Sequence, residues 1–276
     1  MKRYLSIACL QYTATKDELV TLKTVKKLIY NAIEAGADFI TLPECSTSLQ
    51  ENSVFTKKLA KPEIENISLQ YLKEIAKSKS IYILIGSLPI KLHNKLVNRS
   101  FLIGPNGKTL YRYDKIHLYD VNLPNGNIIR ESDTYLGGNT AVIAKIKNNS
   151  IKIGMTICYD LRFPGLYQDL SLNGAEIIVV PSAFSNVTGP VHWHTLLKAR
   201  AIETGSFIVA PAQTGEHQCG RTSFGHSLII SPWGQILKDA KKKVCMISAK
   251  IDLDEVIAAR KSIPSLHSIK KYSTNF

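Results

Sequence analysis

Cys158, Glu44 and Lys115 are the residues whose types and positions could together perform nucleophilic chemistry. Cys158 lies in IKIGMTICYDLRFPGLYQDL, where an apolar run, Ile151–Ile157, reads as a buried strand. The chain then turns through Tyr159–Phe163, and a helix starts with Pro164 near its first position, where a missing N–H costs nothing. A cysteine at a strand's carboxyl end, beside free backbone N–H groups and the positive end of a helix, is expected to have a lowered thiol pKa and oxyanion donors at hand. Its alternative reading is a small buried hydrophobe. Glu44 follows an apolar strand in DFITLPECS, and Lys115 follows the strand Thr109–Tyr113 in LYRYDKIHLYD. Taken singly, Glu44 also reads as a solvated loop acid and Lys115 as one more surface lysine. Taken together, a carboxylate, an ammonium and a thiol supply a base, an electrostatic stabiliser and a nucleophile.

The elements that must position these groups alternate along the chain. Tyr4–Gln11 is strand-like, and Asp17–Ala35 is an amphipathic helix with Leu19, Leu22, Val25, Ile29 and Ile33 on one face, stopped by Gly36. Strand Asp38–Leu42, helix Glu63–Lys77 and strand Ile81–Ser87 follow. Leu96–Ile103 and Thr109–Tyr113 flank GPNG as a hairpin, and Ala141–Lys147 and Ile151–Ile157 flank KNNS as another. After the helix beyond Pro164 come strand Glu176–Val180, helix Pro190–Thr204 and strand Ser206–Ala210. The last third holds strands His226–Ser231, Gln235–Leu237 and Cys245–Ile251, then a short helix Leu253–Arg260. No Pro/Ser-rich linker or internal repeat divides this series, so one domain over residues 1–276 is expected. Hairpins mixed with βα units predict two sheets packed face to face with helices outside, and active residues on loops at the strands' carboxyl ends.

Composition narrows the function classes. No apolar run approaches the roughly 18 residues of a membrane helix. The start, MKRYLSIACLQYTATKDEL, has a short, polar-interrupted apolar run unlike a secretory signal. Five cysteines (Cys9, Cys45, Cys158, Cys219 and Cys245) include no CxxC pair, which argues against a disulfide framework and for a reducing, cytoplasmic setting. The net charge of +13 invites nucleic acid, but its lysines are spread along the chain and few aromatics interleave with them, so no specific nucleic-acid partner is expected. His192, His194, His217 and Cys219 fit no standard zinc spacing, and neither a metal nor another cofactor is expected.

The motifs LPECS, YDKIHLYD and ICYDLRFPGLY, in that order, resemble the nitrilase superfamily of carbon–nitrogen hydrolases, whose members use a Glu–Lys–Cys triad. The similarity continues through GAEIIVVPSAF, TGPVHWHTLLKARAIET, GHSLIISPWGQIL and the tail IPSLHSIKK, so it spans nearly the whole chain. Within the superfamily the chain is most similar to the Nit branch. One departure is His194 in HWHTLL, where that branch usually carries an acidic residue.

The resemblance implies a four-layer αββα sandwich and a cysteine-dependent amidase that forms a thioester acyl-enzyme. Cys158 would attack, Glu44 would take and return the proton, and Lys115 with the Tyr159 backbone N–H would hold the oxyanion. Glu131 in IIRESDTYLGG would support Lys115 or the substrate, its alternative being an exposed loop acid. Arg162 is a candidate for a substrate carboxylate, or else a tie to Asp160. The segment APAQTGEHQCGRTSFGHS adds His217 and Arg221 as substrate-binding candidates and looks closer to the type acting on deaminated glutathione. Omega-amidase action on α-ketoglutaramate, N-carbamoyl amine hydrolysis and a catalytically silent binding protein on the same fold are the alternatives. The resemblance also implies a homodimer, with Leu166, Leu170, Leu196 and Leu197 available either to the interface or to the inner core.

Overall fold

Runs of mostly apolar residues in the central strands let each strand feed two cores at once, because successive side chains point to opposite faces. A computed structural model of the chain describes residues 3–124, 126–148 and 150–275. Its first part runs β1 (Tyr4–Gln11), α1 (Glu18–Glu34), β2 (Phe39–Thr41), α2 (Ser53–Leu59), α3 (Ile67–Lys79), β3 (Tyr82–Leu92), β4 (Lys95–Ile103) and β5 (Thr109–Asp114). The middle contributes β6 (Asp120–Asn122), β7 (Ile128–Arg130), β8 (Tyr135–Leu136), β9 (Val142–Ile146), β10 (Ile151–Met155), α4 (Pro164–Leu172) and β11 (Ile177–Val179). The last part adds α5 (Gly189–Thr204), β12 (Phe207–Ala210), β13 (Thr214–Glu216), β14 (Thr222–Phe224), β15 (Leu228–Ile230), β16 (Ile236–Asp239), β17 (Cys245–Asp252) and α6 (Asp254–Ser262).

Two large sheets result among the described residues. The first has the order β17-β1-β2-β3-β4-β5, with β8 beside β4, and the second the order β16-β15-β12-β11-β10-β9. The centre of each is parallel, β1–β2–β3 in one and β10–β11–β12 in the other, as helix crossovers require.

Residue alternation sorts the strands between three apolar layers. Leu5, Ile7 and Cys9 of β1 meet Ile151, Ile153 and Met155 of β10 and Phe207 and Val209 of β12 between the sheets. Ala8 and Leu10 of β1 pack outward with Leu22, Val25 and Ile29 of α1 and Leu69 and Leu72 of α3. Ile208 and Ala210 of β12 pack the other way, with Leu166 and Leu170 of α4 and Trp193 and Leu197 of α5. The layers are therefore helix, sheet, sheet, helix, the αββα sandwich that the motifs implied. Each buried Leu or Ile here contributes about 1.5–3 kcal/mol relative to exposure.

Three local expectations change, and one open alternative closes. The inner stripe of α1 is Leu22, Val25, Leu28, Ile29 and Ala32, and Leu19 is exposed, because Asp17 caps the helix and sets its rotation against the sheet. The segment expected as helix Glu63–Lys77 divides into a 3-10 turn, Glu63–Glu65, and α3, because the Asn66 side chain accepts from Leu69 N–H at 2.9 Å and starts a new helix. α2, which has no buried residue, carried no apolar period and was not expected. Leu166, Leu170 and Leu197 are buried in the chain's own outer core, with Leu196 packed against it, so they are not free for a partner. The expected hairpin at KNNS joins β9 to β10, and Asn149 of its turn lies outside the described residues. No helix among the described residues is long and apolar enough to cross a membrane.

Candidate active site

Glu44, Lys115 and Cys158 follow β2, β5 and β10, strands of both sheets whose carboxyl ends converge. Two glycines allow the close approach. A Cβ on Gly86 of β3 would lie 2.2 Å from the Leu42 carbonyl oxygen, and one on Gly138 would lie 2.3 Å from that of Asp114. The segments leading to Glu44 and to Lys115 therefore each press on a residue that must lack a side chain.

The local chain at Cys158 is strained for a purpose. Cys158 has a left-handed backbone, φ +47°, and opens a 3-10 turn, Cys158–Arg162. Its own N–H donates to the Pro181 carbonyl at 2.9 Å. Asp160, fully buried, clamps the turn: it accepts from Ile157 N–H at 2.9 Å, Tyr113 O–H at 2.7 Å and His117 N–H at 3.0 Å. The Tyr159 N–H sits at the open N-terminal end of this turn, where helical N–H groups have no intrahelical acceptor.

Lys115 is only 1% exposed and Glu44 5%, which removes the surface-lysine and solvated-acid readings. Lys115 Nζ donates to Glu44 Oε1 at 2.9 Å and to Glu131 at 3.1 and 2.8 Å. Asn98 of β4 donates to both carboxylates at 3.1 Å, so it spaces the two acids around one ammonium. Ala183 N–H, from the segment that follows β11 of the second sheet, holds Glu44 Oε2 at 2.9 Å, and Tyr119 N–H holds Glu131 at 2.7 Å. Gln213, fully buried, donates to the Glu44 and Cys45 carbonyls at 3.0 and 3.1 Å.

Charge states follow from this packing. Burial pushes Glu44 up, but Lys115 and the hydrogen bonds to Lys115, Cys158 and Ala183 outweigh it, and Glu44 lies below the usual carboxylate range. Burial pulls Lys115 down, and Glu131 and Glu44 more than reverse it, so it is held as an ammonium well above its ordinary value. Burial and the Glu44 charge push the Cys158 thiol well up despite Lys115. This corrects the expectation of a lowered thiol pKa: desolvation and a neighbouring carboxylate overcome the turn's N–H groups and the cation. The resting set is a protonated thiol beside a carboxylate, with an ammonium alongside. Such a set can transfer a proton as sulfur attacks a carbonyl, and can stabilise the oxyanion that forms.

The carbon–nitrogen hydrolase family model matches residues 6–261. The chain belongs to that family. This hydrolase is 40% identical to a deaminated glutathione amidase of Synechocystis over 96% of the chain and 98% of the relative. It is 33% identical to an omega-amidase of Xenopus tropicalis over 94% of the chain and 92% of that relative. Among solved structures, the C. elegans NitFhit protein superposes with a TM-score of 0.89 at 32% identity, and the match covers 97% of this chain and 65% of that longer one. The hydrolase acts on carbon–nitrogen bonds, as its family does.

The remaining candidates of the hydrolase separate. Glu131 joins the buried cluster. Arg162 does not reach Asp160; its guanidinium lies 3.2 Å from His192 Nδ1 and over the Phe184 ring. Asp160 is already saturated by the partners that clamp the turn. Arg221 is exposed, and it and Arg162 both act electrostatically on the Tyr119 hydroxyl, as does Cys158. Neither arginine has an ion-pair partner among the described residues. His217 turns away: buried, it meets the Ala14 carbonyl at 2.9 Å and Ser223 Oγ at 2.8 Å, which uses both ring nitrogens. Its role is to pin the loop that carries Arg221. Asn98, Ala183 N–H and Tyr119 carry no signal in the sequence, and Asp160 stands out there only as a tie for Arg162. Asn98 lies mid-strand without any punctuating signal, and the backbone donors carry no sequence mark at all.

Proposed function

We propose that the chain, acting as one hydrolase domain, is an amidase whose nucleophile is Cys158. The reading rests on one observation: a buried, hydrogen-bonded carboxylate–ammonium pair and a thiol, from three strand ends, meet closely enough that the carboxylate and the ammonium both act on the thiol. Glu44 takes the thiol proton as sulfur bonds to the amide carbon, and Lys115 with the Tyr159 N–H holds the oxyanion. Glu44 returns the proton to the leaving nitrogen as the C–N bond breaks. Water then attacks the thioester, with Glu44 taking its proton and passing it back to the departing Cys158 sulfur. Glu131 and Asn98 position Lys115.

Two guanidiniums without ion-pair partners among the described residues, both close enough to Tyr119 to act on its hydroxyl as Cys158 does, favour an anionic amide. Deaminated glutathione, an α-keto acid amide that carries two carboxylates, matches both arginines, whereas α-ketoglutaramate offers one. The similarity to a deaminated glutathione amidase supports the same substrate. The deciding measurement is kcat/KM for both compounds, following released amine from the first and ammonia from the second. Preference for deaminated glutathione that collapses in Arg221→Ala supports this reading. An Arg221→Ala enzyme with unchanged preference removes Arg221 from substrate binding, and preference for α-ketoglutaramate makes the protein an omega-amidase.

The setting we propose is the cytoplasm, and the assembly a homodimer. Leu172, Val191 and Ile202 are the exposed apolar residues on α4 and α5 that suit a partner copy. Sedimentation at micromolar concentration tests it, and a stable monomer refutes it.

A further inference from the structure

His194 stands where the Nit branch carries an acid, and the fold gives it two neighbours that the sequence does not announce. His194 on α5, His226 in the turn before β15 and Asp239 at the end of β16 lie together, on elements that carry none of Glu44, Lys115, Cys158 or Glu131. His194 Nε2 lies 3.5 Å from Asp239 Oδ2, and His226 Nδ1 lies 3.0 Å from Asp239 Oδ1. The two imidazoles are edge to face, 4.9 Å between centroids. One donor atom from each residue lies within 4.8 Å of the other two. A zinc ion bound to imidazole nitrogen and carboxylate oxygen at about 2.0–2.2 Å places neighbouring tetrahedral ligands about 3.4 Å apart. His226 Nδ1 also lies 3.3 Å from the same Oδ2 that His194 approaches, so two edges of that tetrahedron meet at one oxygen and are close to formed, and small side-chain rotations close the third.

We propose that His194, His226 and Asp239 bind a divalent transition-metal ion of the zinc class, at a site separate from the catalytic cluster. Two imidazoles and one carboxylate select such ions over magnesium or calcium, which prefer all-oxygen ligands. The donors are prepared in advance. Asp239 Oδ1 accepts from Lys241 N–H at 2.8 Å, which fixes the carboxylate. Its Oδ2 is held by Lys241 Nζ at 2.8 Å, on a side chain 73% exposed that can return to water when a metal arrives. His226 has a left-handed backbone, φ +55°, held by its N–H to the Lys241 carbonyl and by Trp193 Nε1–H to its own carbonyl at 2.8 Å. Side-chain exposures of 30, 15 and 11% for His194, His226 and Asp239 leave the site reachable from solvent yet largely dehydrated. Three protein donors leave a fourth position for water. A metal there fastens α5 to the β15–β16 edge, a structural role outside the hydrolytic reaction.

The test uses the full chain with Cys158→Ala, so that the active-site thiol does not compete, after chelator treatment and dialysis. Titration with Co2+ is expected to saturate at one equivalent, with visible ligand-field absorption and without the near-ultraviolet band of thiolate coordination. One equivalent of Zn2+ displaces it and raises Tm. His194→Gln and Asp239→Asn, both at partly exposed positions and checked for fold by circular dichroism, each weaken zinc binding at least about tenfold and remove the cobalt spectrum. Absence of saturable binding, a thiolate band, or binding unchanged in both variants overturns the site and leaves a hydrogen-bonded charge cluster.

Discussion

Glu131→Gln isolates the contribution of the second carboxylate. Glu131 accepts from Lys115 Nζ twice, from Asn98 Nδ2 at 3.1 Å and from Tyr119 N–H at 2.7 Å, in a largely buried position. Glutamine keeps the volume but replaces one acceptor oxygen with an N–H2 that must face a donor. Breaking a buried ion pair costs about 3–5 kcal/mol, and the low end applies because Glu44 still pairs Lys115. About 3 kcal/mol lost from the transition state corresponds to roughly a hundredfold fall in kcat. KM should change little, because Glu131 faces Lys115 rather than the substrate. The pH profile carries the sharper signature. In the proposed mechanism Lys115 acts as a cation, and after burial Glu131 is the foremost influence on its pKa, raising it. Removing that charge lowers the Lys115 pKa, so activity should fall off at a lower alkaline pH than in the parent. Steady-state kinetics from pH 6 to 10.5, with Glu131→Asp as the conservative control, measures both effects. A Glu131→Gln enzyme within threefold of the parent kcat, with an unmoved alkaline limb, refutes the argument that Glu131 positions and charges Lys115.

Further outcomes follow from the same geometry. Cys158→Ala should abolish turnover and leave Tm within a few degrees; retained activity removes the thiol mechanism. Glu44→Gln should cut kcat about a thousandfold or more, since the carboxylate that faces the thiol and takes its proton in the proposed mechanism is lost. The same change removes the like charge that raises Cys158 while Lys115 remains, so the thiolate absorbance at 240 nm should titrate at lower pH than in the parent, and a higher midpoint contradicts the assignment. Asp160→Ala strands the Tyr113 hydroxyl and two backbone N–H groups in the core. It should cost about 3 kcal/mol in urea unfolding, and a loss below 1 kcal/mol refutes the clamp.

The features legible in the sequence are local and periodic. The apolar alternation of Tyr4–Gln11 and Ile151–Ile157, the helix capped by Asp17 and ended near Gly36, and the GPNG turn are set by residues within a few positions of one another, so they could be read directly. Because strands end where their alternation ends, Glu44, Lys115 and Cys158 could be placed at carboxyl ends, and three motifs in order identified the family. The features that emerge only on folding depend on distant groups meeting. Whether the Cys158 thiol is raised or lowered turns on desolvation and on Glu44, supplied by another sheet. Asn98 between two carboxylates, His217 turned inward to Ala14, Asp160 bound to Tyr113 instead of Arg162, and His194 beside His226 and Asp239 all arise from register between strands and the helices that cover them. Pair energies depend on separations of a few ångströms and on the exclusion of water, and neither is expressed in residue spacing along the chain.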